Sequence, residues 1–314
     1  MFHEPFPSEI LASPTGARLH LHYRAPEADE RGVVQISHGL AEHAGRYARF
    51  AAFLAGHGFH VYAHDHRGHG KTTATDAAPR QFARRDGAAK VIADVAAVHQ
   101  LIAEQHPGMP VIAFGHSMGG LIALNYAFLH PHAIAGAAVW NAGVSAGAAL
   151  GLARGLLGIE RFLLGSDVPS RVLPKLTFRD WAARVPDAHS SFDWLSHDPE
   201  EVAAYVADPN CGWDGSVAMW RDILDLTRRG ADARNLVRLP KLLPFNLVGG
   251  SEDPATGMGK AVKALDERLR AAGLLDVETR IYQGMRHEGL NEVNRLEVME
   301  DFGRWAERVA AAAA

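Results

Sequence analysis

The chain has 314 residues, of which 47% are hydrophobic and 22% charged, and its formal net charge is -4 at pH 7. This composition is that of an ordinary globular protein and gives no reason to expect nucleic acid as a partner. The length favours a single core with a sizeable insertion. Cys211 is the one cysteine, and the sequence contains neither a secretory signal pattern nor a run of eighteen apolar residues. We therefore expect a cytoplasmic protein without a membrane-spanning helix.

Short apolar runs and longer helical patterns alternate along most of the chain. A hairpin strand at 19–23 is predicted first, followed by strands at 33–37, 59–63, 111–114, 136–140, 244–248 and 277–282. Helices are predicted from apolar residues at three- and four-residue spacing, at 47–55, 88–105, 118–129, 260–272 and 295–310. This alternation is typical of an α/β fold with a mostly parallel central sheet flanked by helices.

The alternation stops between about residues 146 and 236. This segment contains helical patterns and scattered prolines but no convincing strand. We therefore predict a core in two parts, 1–145 and 237–314, interrupted by a helical cap at 146–236. Because open α/β folds bind ligands at the carboxyl ends of their strands, we expect the cap to cover that edge.

The pentapeptide Gly115-His116-Ser117-Met118-Gly119 lies between a predicted strand and a predicted helix. This is the layout of a nucleophile elbow, in which a strained turn thrusts the serine hydroxyl into a cleft. The glycines leave room for the backbone in that turn. The motif predicts that Ser117 is a catalytic nucleophile.

A serine nucleophile needs a base to remove its proton and an acid to orient that base. Asp253 follows the predicted strand at 244–248, and His287 follows the strand at 277–282. Both positions lie where this fold carries its acid and its histidine, in the order serine, acid, histidine. We predict the triad Ser117, Asp253 and His287, with Glu252 or Asp276 as the alternative acids.

Two backbone N–H groups are expected to stabilise the oxyanion of the tetrahedral intermediates. Met118 follows the nucleophile and begins the predicted helix, whose dipole favours negative charge. The second donor is expected in the loop after the strand at 33–37, where His38-Gly39-Leu40 resembles a His-Gly motif that supplies it. We assign it to the Leu40 N–H.

Four sequence blocks look like the signature of one enzyme group. They are HGLAEHAGRY at 38–47, DHRGHG at 65–70, GHSMGG at 115–120 and RHEGLNE at 286–292. The chain resembles the monoacylglycerol lipase and lysophospholipase group of the α/β-hydrolase superfamily, and FDWLS at 192–196 and DPNCGW at 208–213 are similar to cap segments of its bacterial members. The resemblance implies the α/β-hydrolase fold, hydrolysis of carboxylic esters without a cofactor, and the catalytic roles assigned above.

A predicted helix of the cap has one apolar face, formed by Leu152, Leu156, Ile159 and Leu163 and widened by Leu157 and Leu164. Arg154, Glu160 and Arg161 lie off that face. Three interpretations stay open: the face lines an acyl channel, docks transiently on a lipid surface, or packs on its own domain. Leu152, Leu156 and Ile159 are candidate substrate-binding residues, together with His116 beside the nucleophile.

The run His64-Asp65-His66-Arg67-Gly68-His69 offers side chains that can bind metals. Its alternate side chains would point to opposite faces after a strand end, so we predict no metal site. These residues are expected to form hydrogen bonds in the loop beneath the active site instead. Cys211 is interpreted as a small buried hydrophobe.

Together these features predict a serine hydrolase that cleaves monoacylglycerols, lysophospholipids or similar hydrophobic esters through an acyl-enzyme. The expected partner is a small-molecule ester. Two alternatives stay open. An amidase or aminopeptidase of the same fold would need acidic cap residues, such as Glu200 and Glu201, near a substrate amine. A hydrolase-like receptor would bind a small molecule without turnover.

Overall fold

The structure, a computed structural model, describes residues 5–144 and 147–313. Its strands are β1 (Ser8–Ala12), β2 (Ala17–Arg24), β3 (Gly32–Ser37), β4 (Phe59–His64), β5 (Thr73–Ala74), β6 (Val111–His116), β7 (Gly136–Trp140), β8 (Phe245–Gly250) and β9 (Val277–Tyr282). The predicted hairpin and all six predicted parallel strands are present, with small differences at their ends. The predicted boundary between residues 145 and 146 lies outside the described residues.

The strands form one sheet in the order β1-β2-β4-β3-β6-β7-β8-β9, and β5 pairs with β2 at its side. The pairs that involve β2 are antiparallel, and the strands from β4 to β9 along this order pair in parallel. The last residues of the central strands lie side by side, as in the pair His116 and Trp140 and the pair Gly250 and Tyr282. Loops that leave these strands therefore meet at one edge of the sheet.

Helices cover both faces of the sheet and continue the alternation of the sequence. They are α1 (Ala48–Gly56), α2 (Gly87–Gln105), α3 (Met118–Leu129), α4 (Ala148–Leu164), α5 (Leu173–Leu176), α6 (Phe178–Ala183), α7 (Pro199–Ala207), α8 (Val217–Gly230), α9 (Ala233–Leu236), α10 (Lys260–Ala271) and α11 (Arg295–Ala313). Short 3-10 helices occupy Ala44–Tyr47, Asp193–Leu195, Pro254–Thr256 and Gly289–Asn291. In the described ranges, no helix is both long and apolar enough to cross a membrane.

The central strands of the sheet are buried on both faces, which explains why they are mainly apolar rather than alternating. Every residue of β3, β4, β6, β7 and β8 is buried. On one face, Trp140 of β7 packs edge-on against Phe302 of α11, with ring centroids 5.5 Å apart. On the other face, α3 packs against β6 and against α8 of the cap. This double layer makes the ends of β6, β8 and β9 a rigid support for the loops of the site.

Helices α4 to α9 lie between β7 and β8, where the insertion is predicted. Most of the apolar stripe of α4 does not face inward. Leu157 and Glu160 are buried, whereas Leu152, Ile159 and Leu163 are 67%, 59% and 69% exposed. The Glu160 carboxylate is buried because it accepts hydrogen bonds from the Ser170 hydroxyl and the Arg171 N–H. Glu160 lies off the apolar stripe, as the pattern indicates, and it is the stripe that faces largely outward.

Candidate active site

The turn between β6 and α3 carries Ser117 in a strained conformation. Its backbone has φ +56° and ψ -117°, a region that residues with a side chain seldom occupy. The Ser117 N–H donates a 2.8 Å hydrogen bond to the Trp140 carbonyl, which ties the turn to β7. A Cβ atom at Gly115 would lie 2.0 Å from the Gly119 carbonyl oxygen, and one at Gly119 would lie 1.9 Å from the Ser37 carbonyl oxygen. The turn therefore requires both glycines of the predicted elbow.

Asp253 lies in the loop just after β8 and is fully buried. Both oxygens of its carboxylate accept hydrogen bonds. Oδ2 accepts from Asn141 Nδ2 at 2.9 Å and from Thr256 Oγ1 at 2.8 Å, and Oδ1 accepts from the Ala255 N–H at 2.9 Å. Burial opposes ionisation, but the neighbouring His287 ring and these donors hold the pKa of Asp253 below its ordinary value. The carboxylate is thus an ionised, fixed acceptor.

The ring of His287 follows β9 and contacts this carboxylate directly. His287 Nδ1 lies 3.0 Å from Asp253 Oδ1, and both side chains are buried. A carboxylate only accepts, so Nδ1 carries the proton and Nε2 is left as the basic nitrogen. The alternative acids Glu252 and Asp276 form ion pairs elsewhere. The acid that the structure brings to His287 is therefore Asp253.

The loop that carries His287 is attached to the residue before the nucleophile. His116 Nε2 lies 2.9 Å from the His287 carbonyl oxygen, and the two imidazole rings have centroids 4.8 Å apart. Among the hydrogen bonds of the described residues, none joins the Ser117 hydroxyl to the His287 ring. Such catalytic bonds are often long in unliganded sites and shorten when substrate binds. Two members of the predicted triad, Asp253 and His287, are thus hydrogen-bonded to each other. The third, Ser117, directly follows His116, which anchors the loop of His287.

The N–H groups of Leu40 and Met118 donate no hydrogen bond within the described ranges. The Leu40 N–H belongs to the same peptide group as the Gly39 carbonyl, and the two point in opposite directions in a trans peptide. A hydrogen bond to that carbonyl therefore fixes the direction of the Leu40 N–H. His38 Nδ1 donates to the Gly39 carbonyl at 2.8 Å, while His38 Nε2 accepts from the His66 N–H at 2.9 Å. This orienting role of His38 was not predicted from the sequence, although the His-Gly pair marked its position.

A buried ionic network lies behind the site and was also not predicted. Arg46 donates to Glu42 at 2.6 Å and to Glu288 at 2.6 and 2.7 Å. Glu42 Oε1 also accepts from the Gly39 N–H at 2.5 Å and from the Tyr47 hydroxyl at 3.0 Å. Burial opposes ionisation of Glu42, but Arg46 and a neighbouring histidine hold its pKa well below the ordinary value. The spacing of four residues between Glu42 and Arg46 was a weak signal in the sequence, because such pairs contact each other in helical turns, whereas Glu42 lies just before the 3-10 helix at Ala44–Tyr47.

The cap covers the histidine and fastens the loop that carries Leu40. The Trp194 ring has its centroid 4.9 Å from that of His287. The Tyr205 hydroxyl and the Gly212 N–H both donate to the Ala41 carbonyl, at 2.9 and 3.0 Å. Aromatic side chains thus shield the imidazole from water, and the cap holds the loop beside the proposed oxyanion donor.

The four predicted substrate-binding residues lie in different environments. His116 is buried beneath the site. Leu152, Leu156 and Ile159 lie on α4, where Leu156 is half-buried and the other two are exposed. Their contact with substrate stays a prediction.

Two groups of three side chains in the described part of the chain could hold a metal ion: His20, His22 and Asp65, and His43, Asp208 and Cys211. In the first, Asp65 already accepts from the N–H groups of Ala44 and Lys71 at 2.9 and 2.8 Å. In the second, His43 Nε2 and Asp208 Oδ2 lie 2.8 Å apart in a hydrogen bond. Both groups therefore have hydrogen-bonding roles within the protein. Asp65 supports the loop as predicted, whereas the buried rings of His64 and His66 have no hydrogen-bond partner among the described residues, so the prediction is wrong for these two side chains.

Comparison with known proteins identifies the family of this chain. The family model described as serine aminopeptidase, S33 matches residues 28–294. Over 294 residues the chain is 31% identical to the monoacylglycerol lipase of Mycolicibacterium smegmatis, covering 92% of this chain and 93% of that protein. It is 29% identical to the human monoglyceride lipase over 308 residues, which are 96% and 91% of the two chains.

Solved structures give the same result. A thermostable carboxyl esterase from Bacillus coagulans superposes with a TM-score of 0.85 at 27% identity, covering 97% of this chain and 99% of the other. A structure described as a lipase in an open form superposes with a TM-score of 0.84 at 29% identity, covering 98% and 99%. The chain therefore belongs to the serine aminopeptidase S33 family and, within the α/β-hydrolase superfamily, to the monoacylglycerol lipase group of ester hydrolases.

Proposed function

We propose that this chain hydrolyses monoacylglycerols and related hydrophobic carboxylic esters through an acyl-enzyme on Ser117. The observation that carries the proposal is the buried hydrogen bond between His287 Nδ1 and Asp253 Oδ1, which leaves a basic nitrogen on the loop anchored beside Ser117. The relatives named above as monoacylglycerol lipases support the choice of substrate class.

In the proposed mechanism, His287 Nε2 takes the proton of the Ser117 hydroxyl as its oxygen attacks the ester carbonyl. The negative charge on the carbonyl oxygen is stabilised by the N–H groups of Leu40 and Met118. The imidazolium of His287 then gives its proton to the leaving alcohol, and the acyl group stays on Ser117. Water then attacks the acyl-enzyme carbonyl, with His287 again as the base, and the carboxylic acid is released from Ser117. Asp253 stabilises the imidazolium throughout.

The hydrophobic acyl preference is supported by the aromatic cover of the site. Trp194 contacts the His287 ring, and Trp181 contacts Trp194 with ring centroids 4.9 Å apart. Phe178 stacks on Trp194 at 6.0 Å. An acyl chain beside these rings leaves water for an apolar surface, which contributes about 0.8 kcal/mol for each buried methylene.

The outward face of α4 supports transient contact with a lipid surface as the source of such esters. Leu152, Ile159, Phe162 and Leu163 are all more than half exposed, and Phe162 is 89% exposed. Apolar side chains clustered on one exposed helical face enter the boundary between lipid headgroups and acyl chains.

An aminopeptidase is the second candidate, because the matched family model carries that description. Such an enzyme needs an unpaired carboxylate for the substrate amine. Of the cap acids considered for this role, Glu201 accepts a 2.5 Å hydrogen bond from Arg49, and Glu200 is exposed at the start of α7. The pairing of Glu201 favours the ester hydrolase.

A substrate panel tests the proposal. The purified chain is assayed with p-nitrophenyl esters from C2 to C16, a monoacylglycerol, lysophosphatidylcholine and an aminoacyl p-nitroanilide. We expect kcat/KM for the soluble esters to rise by up to about fourfold for each added methylene, since about 0.8 kcal/mol corresponds to that factor. We also expect monoacylglycerol to be cleaved and the anilide to be left intact.

Two results of the panel would contradict the proposal. Faster turnover of the anilide than of every ester would favour the aminopeptidase. Tight binding of esters without turnover would favour a receptor that uses the hydrolase fold for recognition alone.

A further inference from the structure

His116 is enclosed by hydrogen-bond acceptors on both sides of its ring. Nε2 lies 2.9 Å from the carbonyl oxygen of His287, and Nδ1 lies 3.7 Å from the carboxylate oxygen Oε1 of Glu42. The side chain is 7% exposed. Carbonyl and carboxylate oxygens accept hydrogen bonds and never donate them. Both nitrogens of this ring therefore face groups that attract a proton.

A neutral imidazole has one N–H and one lone pair, so it cannot satisfy both neighbours. With the proton on Nε2, the Nδ1 lone pair faces a carboxylate. With the proton on Nδ1, the Nε2 lone pair faces a carbonyl oxygen at hydrogen-bond distance. The imidazolium alone presents a donor to each side. A buried cation of this kind requires a nearby counter-charge, which Glu42 provides.

We propose that His116 is held as an imidazolium by Glu42 and is a positioning residue that fixes the backbone of the base His287 beside Ser117. The inference rests on the proposed roles of Ser117 and His287. Glu42 is the common anchor, because the same carboxylate oxygen accepts from the Gly39 N–H, one residue before the proposed oxyanion donor Leu40. A Cβ atom at Gly39 would lie 2.6 Å from that oxygen and 3.5 Å from His116 Nδ1, so the three groups are closely packed.

The charges around His116 agree with this protonation state. Burial alone would lower the pKa of His116, but the Glu42 and Glu288 carboxylates and the His287 carbonyl raise it above the ordinary value. Arg46 bridges Glu42 and Glu288 and opposes this effect in part. The His287 ring also faces His116, and its protonation in the catalytic cycle would repel the imidazolium.

The sign of the pH dependence follows from the raised pKa. On deprotonation we expect His116 to keep the proton on Nδ1, which faces the Glu42 carboxylate, so that Nε2 becomes a lone pair. The bond to the His287 carbonyl is then fully present below that pKa and is lost as the pH rises through it. Loss of the bond frees the histidine loop from β6. Esterase activity should therefore fall at alkaline pH.

The protonation state is measured directly by nitrogen NMR of the histidine rings. We expect both ring nitrogens of His116 to carry protons at pH 7.5, about one unit above an ordinary histidine pKa of about 6.5. The spectrum is recorded on the Ser117→Ala variant, so the result does not depend on catalysis. Through-bond correlations assign each ring signal to its histidine. A neutral His116 with one bare nitrogen at this pH would overturn the inference, even if the esterase mechanism is correct.

Kinetics test the positioning role. We expect His116→Ala to lower kcat by about 10- to 100-fold, as displaced catalytic groups do, with little change in KM. His116→Gln should recover part of this loss, because its amide N–H can donate to the His287 carbonyl. In both variants the fall at alkaline pH should disappear, and in Glu42→Gln it should move to lower pH.

The matched control is His57→Gln, which breaks another histidine–glutamate pair, 2.8 Å long, between the end of α1 and α11. We expect this variant to keep the wild-type pH profile. An alkaline fall that persists unchanged in His116→Gln would overturn the positioning role. If Glu42→Gln does not fold, the NMR measurement on the chain with Glu42 intact still decides the protonation state.

Discussion

Ser117→Ala is expected to lower kcat for a p-nitrophenyl ester by about 10⁶-fold. This is the factor seen when a serine hydrolase of another fold loses its nucleophile. The alanine cannot form the acyl-enzyme, so water must attack the ester without covalent assistance. The N–H groups of Leu40 and Met118 remain, and they should leave the variant roughly 10³-fold faster than the uncatalysed reaction.

The Ser117→Ala variant should fold as the wild type does. The positive φ at this turn strains alanine as much as serine, and the Ser117 side chain makes no hydrogen bond among the described residues, so stability should change by no more than about 0.5 kcal/mol. Ser8→Ala, at an exposed position of β1, is the matched control and should keep full activity. Activity in Ser117→Ala above about a hundredth of wild type would show that another residue is the nucleophile.

Asp253→Asn is expected to lower kcat by about 10⁴-fold, the effect of the same change in another serine hydrolase. The reason lies in the donors around the carboxylate. Asn141 Nδ2 and Thr256 Oγ1 both donate to Oδ2, so the amide group of an asparagine would turn its oxygen toward them. Its NH₂ group would then face His287 Nδ1. The ring would be forced to carry its proton on Nε2, where it can no longer accept the proton of Ser117.

Steady-state kinetics of Asp253→Asn and Asp276→Asn at pH 8 check this prediction. Asp276 was one of the two alternative acids predicted from the sequence, and it pairs with Arg308 at the surface instead. We expect Asp276→Asn to stay within about twofold of wild type, because surface pairs contribute little. Loss of activity in Asp276→Asn together with near-normal activity in Asp253→Asn would reverse the assignment.

The fold could be predicted well because its signals are local. The runs at 111–114 and 136–140 are apolar on consecutive residues, which is typical of strands buried on both faces. The elbow at 115–119 marks where β6 gives way to α3, and the acid and the histidine each follow a strand. Such features depend on residues that are close together in the sequence, so they can be recognised without knowledge of tertiary contacts.

The parts that escaped prediction depend on contacts between distant residues. Glu160 is buried by hydrogen bonds from Ser170 and Arg171, which the periodicity of α4 cannot reveal. Arg46 and Glu288 are 242 residues apart in the chain, yet their bidentate pair joins the oxyanion loop to the histidine loop. An amphipathic pattern reports which residues share a face, and only the tertiary structure shows what that face contacts.

Ser117, activated by His287, is the proposed nucleophile on which every step of the ester hydrolysis depends. Labelling with a fluorophosphonate tests this role most directly, because the activated serine oxygen attacks phosphorus and expels fluoride to leave a stable adduct. Peptide mapping after complete inhibition should find one label per chain, on Ser117, and His287→Ala should label far more slowly. Inhibition with the label on a different residue, or ester turnover by a chain that resists the probe, would contradict the assignment of Ser117.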